Sequence, residues 1–299
     1  MHHINFAEFL RIATFSLVAD ALLGADASSI RYSDALFVTE AISNLWGLSK
    51  TCSTPPAELL DEVNSHLNRW FPHLNHQDRL LDFVIPTYET MWRVVALAIA
   101  RAVDSRDRVA FRAFLETPSS RQFGTFIDDG PSVEAYVNEV LRLHPPTRHI
   151  SRTIQPSSPL LSAFIPAAIL DWAHKAFTQT AVADIEGLHQ NPLIWGDDAR
   201  RFDPMRFQDR RLTLEQKTCL LPFGYGALKC IAYNAAPKIA AIVAAAVMEL
   251  FDEEGSGKGL MLVRGEVMGG REGWNGWAFE RKTTIDYSGK NDDILLSVL

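Results

Sequence analysis

Residues 220–232, LLPFGYGALKCIA, place one cysteine, Cys230, at the end of a loop bearing Gly224 and Gly226 and just ahead of an alanine-rich run, AAPKIAAIVAAAVMEL (235–250). Glycine at both loop positions predicts backbone that side chains disfavour and a close approach of main chain to a flat ligand. The apolar run predicts a helix starting near the cysteine. A sulfur at that point meets loop N–H groups and the positive end of the helix, both of which favour a thiolate.

A thiolate presented this way suits axial ligation of a haem iron. Phe223, Gly224, Gly226, Cys230 and Ala232 match the pattern F-G-x-G-x-x-x-C-x-[GA], and the chain here resembles the cytochrome P450 family. Two further motifs stand in the family's order. Glu139 and Arg142 lie in VNEVLRLHPP (137–146), and Phe202, Pro204, Arg206 and Phe207 lie in RRFDPMRF (200–207). The resemblance implies a mainly α fold with small β elements, residues 1–299 forming one domain that enters the family fold late and lacks its N-terminal part. It also implies that Glu139, Arg142 and Arg206 form a buried structural triad, for which the alternative reading is a surface i, i+3 ion pair.

Apolar periodicity over 78–104 predicts a long helix. Pro86 lies inside it, so a bend is expected there, with the Asp82 carbonyl losing its usual donor. The resemblance likens PTYET (86–90) to the family's distorted helix over the haem, with Thr90 and Glu89 as the catalytic alcohol and acid. Pro86 and Thr87 depart from the small residues of that motif, and Thr87 is expected to narrow the pocket. An ordinary kinked core helix is the other reading. In TRHISR (147–152), Arg152 is the candidate donor to a haem propionate. Leu228 departs from the basic residue expected in the loop, and Lys229 is expected to point elsewhere. Residues 155–188 read as more helical than the family's turn and strand pair, and WNGWAFERKTTIDY (274–287) reads as a closing hairpin with its tryptophans in the core.

With 299 residues, 47% of them hydrophobic, the chain can bury a large core. A net charge of -7 argues against nucleic acid as a partner. Cys52, Cys219 and Cys230 make no disulfide framework. His66, His73 and His76 match no common zinc spacing and read as surface residues. The first 24 residues lack the basic start of a secretory signal. Glu89, Arg93 and Arg101 interrupt residues 83–103, so no membrane span is expected. Between Arg200 and Lys229, seven basic residues stand against three acidic ones, either a solvated face or a docking face for an acidic redox partner.

Two functions follow. One is a haem-thiolate monooxygenase with Cys230 as the axial ligand of haem b iron. It would oxidise a small apolar substrate with dioxygen and electrons from an NADPH-dependent cytochrome P450 reductase. The resemblance places it in the fungal branch that tailors secondary metabolites, inside the cell, cytoplasmic or peripheral at the endoplasmic reticulum. The other is a non-redox scaffold of the same fold, used for binding or a cofactor-free cyclisation.

Overall fold

The computed structural model describes residues 3–50, 54–74, 80–102, 105–127, 130–154, 179–251, 259–270 and 272–281. Strand β1 (His3–Asn5) leads into helix α1 (Phe6–Ala21), whose first turn is closed by the Asn5 side chain accepting the Glu8 N–H at 3.0 Å. Helix α1 buries Phe6, Phe9, Leu10, Phe15 and Val18 and gives way to Gly24, which has a φ of 71°. Helices α2 (Tyr32–Lys50) and α3 (Ala57–Trp70) pack beside it in series.

Gly47 lies inside α2, and a Cβ added there meets nothing within 4 Å. Gly47→Ala is therefore expected to raise stability by about 0.5–1 kcal/mol, since alanine loses less backbone entropy in a helix. The urea midpoint reports it, and an unchanged or lower midpoint refutes it.

The expected long helix is two: α4 (Leu80–Tyr88) and α5 (Met91–Arg101). Helical structure continues through the proline to Tyr88, and the break falls at Glu89–Thr90. Past Pro86 the ladder resumes, with the Glu89 N–H donating to the Ile85 carbonyl at 2.9 Å. The Thr87 hydroxyl donates to the Phe83 and Val84 carbonyls. At the break, the Arg93 side chain donates to the Glu89 carbonyl at 3.1 Å.

From Met91 to Ala100 every residue of α5 except Arg93 is buried. A helix apolar nearly all round belongs in the middle of a fold. Three helices surround this one: α1, α8 (Val133–Leu143) and α12 (Ala236–Met248). Together α4 and α5 are long and apolar enough, by length and composition alone, to cross a membrane. In this fold the segment is mostly buried within the protein itself. Helices α6 (Ser105–Glu116) and α7 (Ser120–Gly124) close one side of α8.

Strands β2 (His149–Ile154) and β3 (Gln179–Asp184) pair antiparallel, with Arg152 opposite Ala181. The helical reading of 155–188 is thus corrected for 179–184, while 155–178 lie outside the described residues. The strand is held by pairing, since all six of its residues are exposed. Short helices α9 (Ile185–His189), α10 (Pro192–Trp195) and α11 (Leu214–Cys219) follow.

Strands β4 (Leu260–Val263) and β5 (Ala278–Arg281) join β1 in an antiparallel sheet of order β1-β5-β4. The closing hairpin is corrected in turn: β5 is the middle strand, flanked by β1 from the start of the chain and by β4 just before it, and residues from 282 onward lie outside the described residues. Trp274 and Trp277 are core residues, their rings 4.9 and 5.4 Å from Phe6.

Candidate functional site

Ser132 caps α8 by accepting the Ala135 N–H at 3.1 Å, which sets the helix phase and turns Glu139 and Arg142 inward together. Both are fully buried. Arg142 holds Glu139 with two bonds, Nε to Oε2 at 2.6 Å and Nη2 to Oε1 at 2.8 Å. Its remaining donors reach the carbonyls of His189, Ala199 and Arg201, and its guanidinium lies 4.9 Å from the Trp195 ring. The Asp203 N–H donates to Glu139 Oε1 at 2.9 Å.

Arg206 completes the group from a 3₁₀ turn at Pro204–Phe207. Its Nε is 3.7 Å from Glu139 Oε1, too long for a hydrogen bond, so charge alone links them. Its Nη groups instead bind the Trp195 carbonyl and Asp198. That bond holds the Asp198 carboxyl below its ordinary range. The three residues expected as a triad are therefore together, and the surface ion pair is excluded by their burial.

The segment after α11 carries Cys230. Gly224 and Gly226 have φ of 74° and 65°, the left-handed region that glycine occupies without penalty. Inside the loop the Gly224 N–H donates to the Leu221 carbonyl at 3.0 Å and the Cys230 N–H to the Phe223 carbonyl at 2.9 Å. The Cys230 thiol is free and exposed.

The helix does not begin at the cysteine. Turns occupy 231–235, and α12 starts at Ala236 with Pro237 in its first turn. Pro237 has no N–H to give the Tyr233 carbonyl four residues back, so a helix started at Cys230 would lose a rung there. The first turn is where a proline fits. The positive helix end is consequently not at the sulfur, which leaves the loop itself to present it.

Between α5, the α4–α5 break, β2 and this loop lies a cavity of about 630 Å³. Its lining includes Glu89, Thr90, Arg152, Phe223, Gly224 and Cys230, while Gly226 is not among the described lining residues. Leu228 and Ile231, 70% and 98% exposed, also line it. Large apolar side chains open to a concave site call for a cover. A flat apolar macrocycle with acidic edges fits these residues: a sulfur to ligate, apolar walls, and the Arg152 guanidinium at the rim.

Thr90 makes no capping bond with its hydroxyl. Glu89 is fully buried, and its Oε2 accepts from the Trp92 indole at 3.3 Å. Its carboxylate and the burial of Tyr88 push the neighbouring phenol well above its ordinary pKa, burial being the larger cause. Lys229 does point away: its ammonium lies 3.4 Å from the centre of the Tyr233 ring.

The basic stretch is thinner than its formal charge. Arg206 is buried on Glu139, Arg211 pairs with Asp203 at 2.7 Å and Lys217 with Asp209 at 3.2 Å. Arg200, Arg201 and Arg210 remain exposed. Among the described residues no cluster suits a metal ion. Of the three histidines, His66 lies 2.7 Å from Arg69 and His73 bonds the Leu23 carbonyl at 2.9 Å; His76 lies outside the described residues.

The sequence reading missed His189. Its ring is fully buried, with Nδ1 3.1 Å from the Arg142 carbonyl and Nε2 accepting the Leu221 N–H at 2.8 Å. The signal available was its place in LHQNP, one turn before the Asn191 cap and Pro192 that start α10.

Residues 127–254 match the family model described as Cytochrome P450. Cytochrome P450 4X1 of Rattus norvegicus is 31% identical over 140 residues, 47% of this chain and 25% of that protein. The 11-oxo-beta-amyrin 30-oxidase of Glycyrrhiza uralensis is 32% identical over 117 residues, 39% of this chain and 20% of that protein. Secologanin synthase 1 of Catharanthus roseus is 32% identical over 120 residues, 40% of this chain and 21% of that protein. The matched part spans a quarter or less of these relatives' length.

These relatives come from a rodent and from plants and give no support to the fungal placement. A solved cytochrome P450, CYP102L1, superposes with a TM-score of 0.53 at 15% identity, covering 87% of this chain and 65% of that one, a likeness of fold. Glu89 and Thr90 precede the matched residues. The buried Glu139–Arg142–Arg206 group and the glycine loop carrying Cys230 both fall within residues 127–254, the part of this chain that matches the cytochrome P450 family.

Proposed function

We propose that residues 1–299 form one haem-binding domain of a haem-thiolate monooxygenase that oxidises a small apolar molecule, in the manner of secondary metabolism. The observation that carries this is the exposed Cys230 sulfur lining the same apolar cavity as Thr90. Cys230 would ligate haem b iron, Phe223 and Gly224 would flank the ring, Gly226 would shape the loop, and Arg152 would bind a propionate. Bound there, the haem supplies dioxygen activation with electron density from the thiolate.

The chain's own residues do the rest. Apolar walls from Ile85, Met91 and Val94 would hold an apolar substrate and exclude water. The Thr90 hydroxyl, unused in capping, would hold a proton at its oxygen, and Glu89 behind it would replenish that proton. Exposed Arg200, Arg201 and Arg210 would meet an acidic partner, an NADPH-dependent cytochrome P450 reductase at the endoplasmic reticulum surface.

A non-redox scaffold is the second reading, favoured by the Trp92 bond that holds the Glu89 carboxylate. The reduced, carbon-monoxide-treated absorbance spectrum decides between them. The expected result is a Soret band at the thiolate-ligated position that Cys230→Ala abolishes. A folded protein that takes up no haem overturns the monooxygenase reading.

A further inference from the structure

Two bonds meet at the His189 ring that only one form of imidazole can make. A backbone carbonyl accepts and never donates, so Nδ1, 3.1 Å from the Arg142 carbonyl, carries the hydrogen. A backbone N–H donates and never accepts, so Nε2, 2.8 Å from the Leu221 nitrogen, is bare. The ring is thus neutral and in a single tautomer. The same residue's carbonyl takes an Arg142 Nη1 bond at 2.7 Å, so α9 and α8 are cross-linked in both directions.

From Leu221 the connection continues to the cysteine. Its carbonyl holds the Gly224 N–H, and the Phe223 carbonyl holds the Cys230 N–H. We propose that His189 is a positioning residue: as the neutral Nδ1–H tautomer it anchors the loop of Cys230 to the buried Glu139–Arg142 pair. The inference rests on the haem-thiolate reading for its purpose, and on hydrogen bonds alone for its existence.

Burial pushes the His189 pKa down to about 4, which keeps Nε2 free to accept. The charge facing the ring is the Arg142 guanidinium, itself bound by Glu139, with Arg206 on the far side of that carboxylate. A proton on Nε2 would face the Leu221 N–H, and the anchor would part.

The test uses the full chain without added haem, so that a failure of haem uptake is read separately. Nitrogen-15 shifts of the His189 ring at pH 7 are expected to show a protonated Nδ1 and a bare Nε2. Amide exchange at Leu221, Gly224 and Cys230 is expected to quicken about tenfold or more in His189→Phe, the loss of one buried bond. Exchange in α5 should stay within about twofold, and His189→Gln, which keeps a donor and an acceptor, should recover part of the protection. The opposite tautomer, a ring that titrates near 6.5, or quickening that stops at Leu221 overturns the proposal. Quickening that spreads equally into α5, in both variants, overturns it as well, because the ring would then be a general core residue.

Discussion

Arg142→Ala is expected to lower stability by about 3–5 kcal/mol, the range for breaking a buried ion pair from one side. The substitution strips Glu139 of its two-bond partner at zero exposure, leaving the Asp203 N–H and a guanidinium 3.7 Å away that makes no hydrogen bond. It also removes the donor from the carbonyls of His189, Ala199 and Arg201. Each buried acceptor left unpaired adds to the loss. Arg142→Lys should lose most of the same, because an ammonium cannot span a carboxylate bidentately and still serve the carbonyls to its sides. Denaturant midpoints at pH 7 measure both, and a loss under about 1 kcal/mol would show that solvent already reaches the pair.

Arg142 thus ties α8 to the whole stretch before the cysteine loop, and its position was legible because its requirements are local. A three-residue spacing on a capped helix puts acid and base on one face, and the proline-arginine-phenylalanine turn downstream brings Arg206 to the same point. The loop was legible for a similar reason: two glycines at positive φ leave few residue choices. What the sequence hid depends on partners far along the chain. β3 is an exposed, polar strand that exists because β2 pairs with it. β5 lies between β1 and β4, strands separated from it by most of the chain and by a turn.

Boundaries misled where two signals competed. Alanine-rich periodicity extends back toward Cys230, yet the missing amide of Pro237 moves the helix start to Ala236. Pro86 lies inside α4, yet the Thr87 hydroxyl and the resumed Glu89–Ile85 bond carry the helix past it, and the opening comes at Glu89–Thr90, where Arg93 takes the Glu89 carbonyl. That shift matters for the site, since it puts the break at Thr90 beside the cavity. His189 was not legible as an anchor, because a lone histidine on a short helix says nothing of a backbone N–H more than thirty residues later.

Acid is expected to destabilise the protein well before its carboxylates titrate. His144 and His189 are both pushed down from 6.5 to about 4, burial being the main cause, with Arg101 next for His144. His144 Nε2 lies 3.1 Å from Arg101 Nη2, a donor, so this ring too must be neutral to accept. In the unfolded chain both rings protonate near 6.5, while in the folded protein they resist until about 4. The unfolded state therefore binds more protons in that window. Their stability contribution is complete above pH 6.5 and is lost as pH falls toward 4. The loss at pH 5 should be about 2 kcal/mol for the fully buried His189 and less for the partly open His144. Urea midpoints at pH 7, 6 and 5 would show it as a steady fall, and His144→Gln with His189→Gln should flatten the curve over that range. A midpoint unchanged from pH 7 to 5 would mean that both rings are protonated as easily inside the fold as outside, which is incompatible with the bonds that they make there.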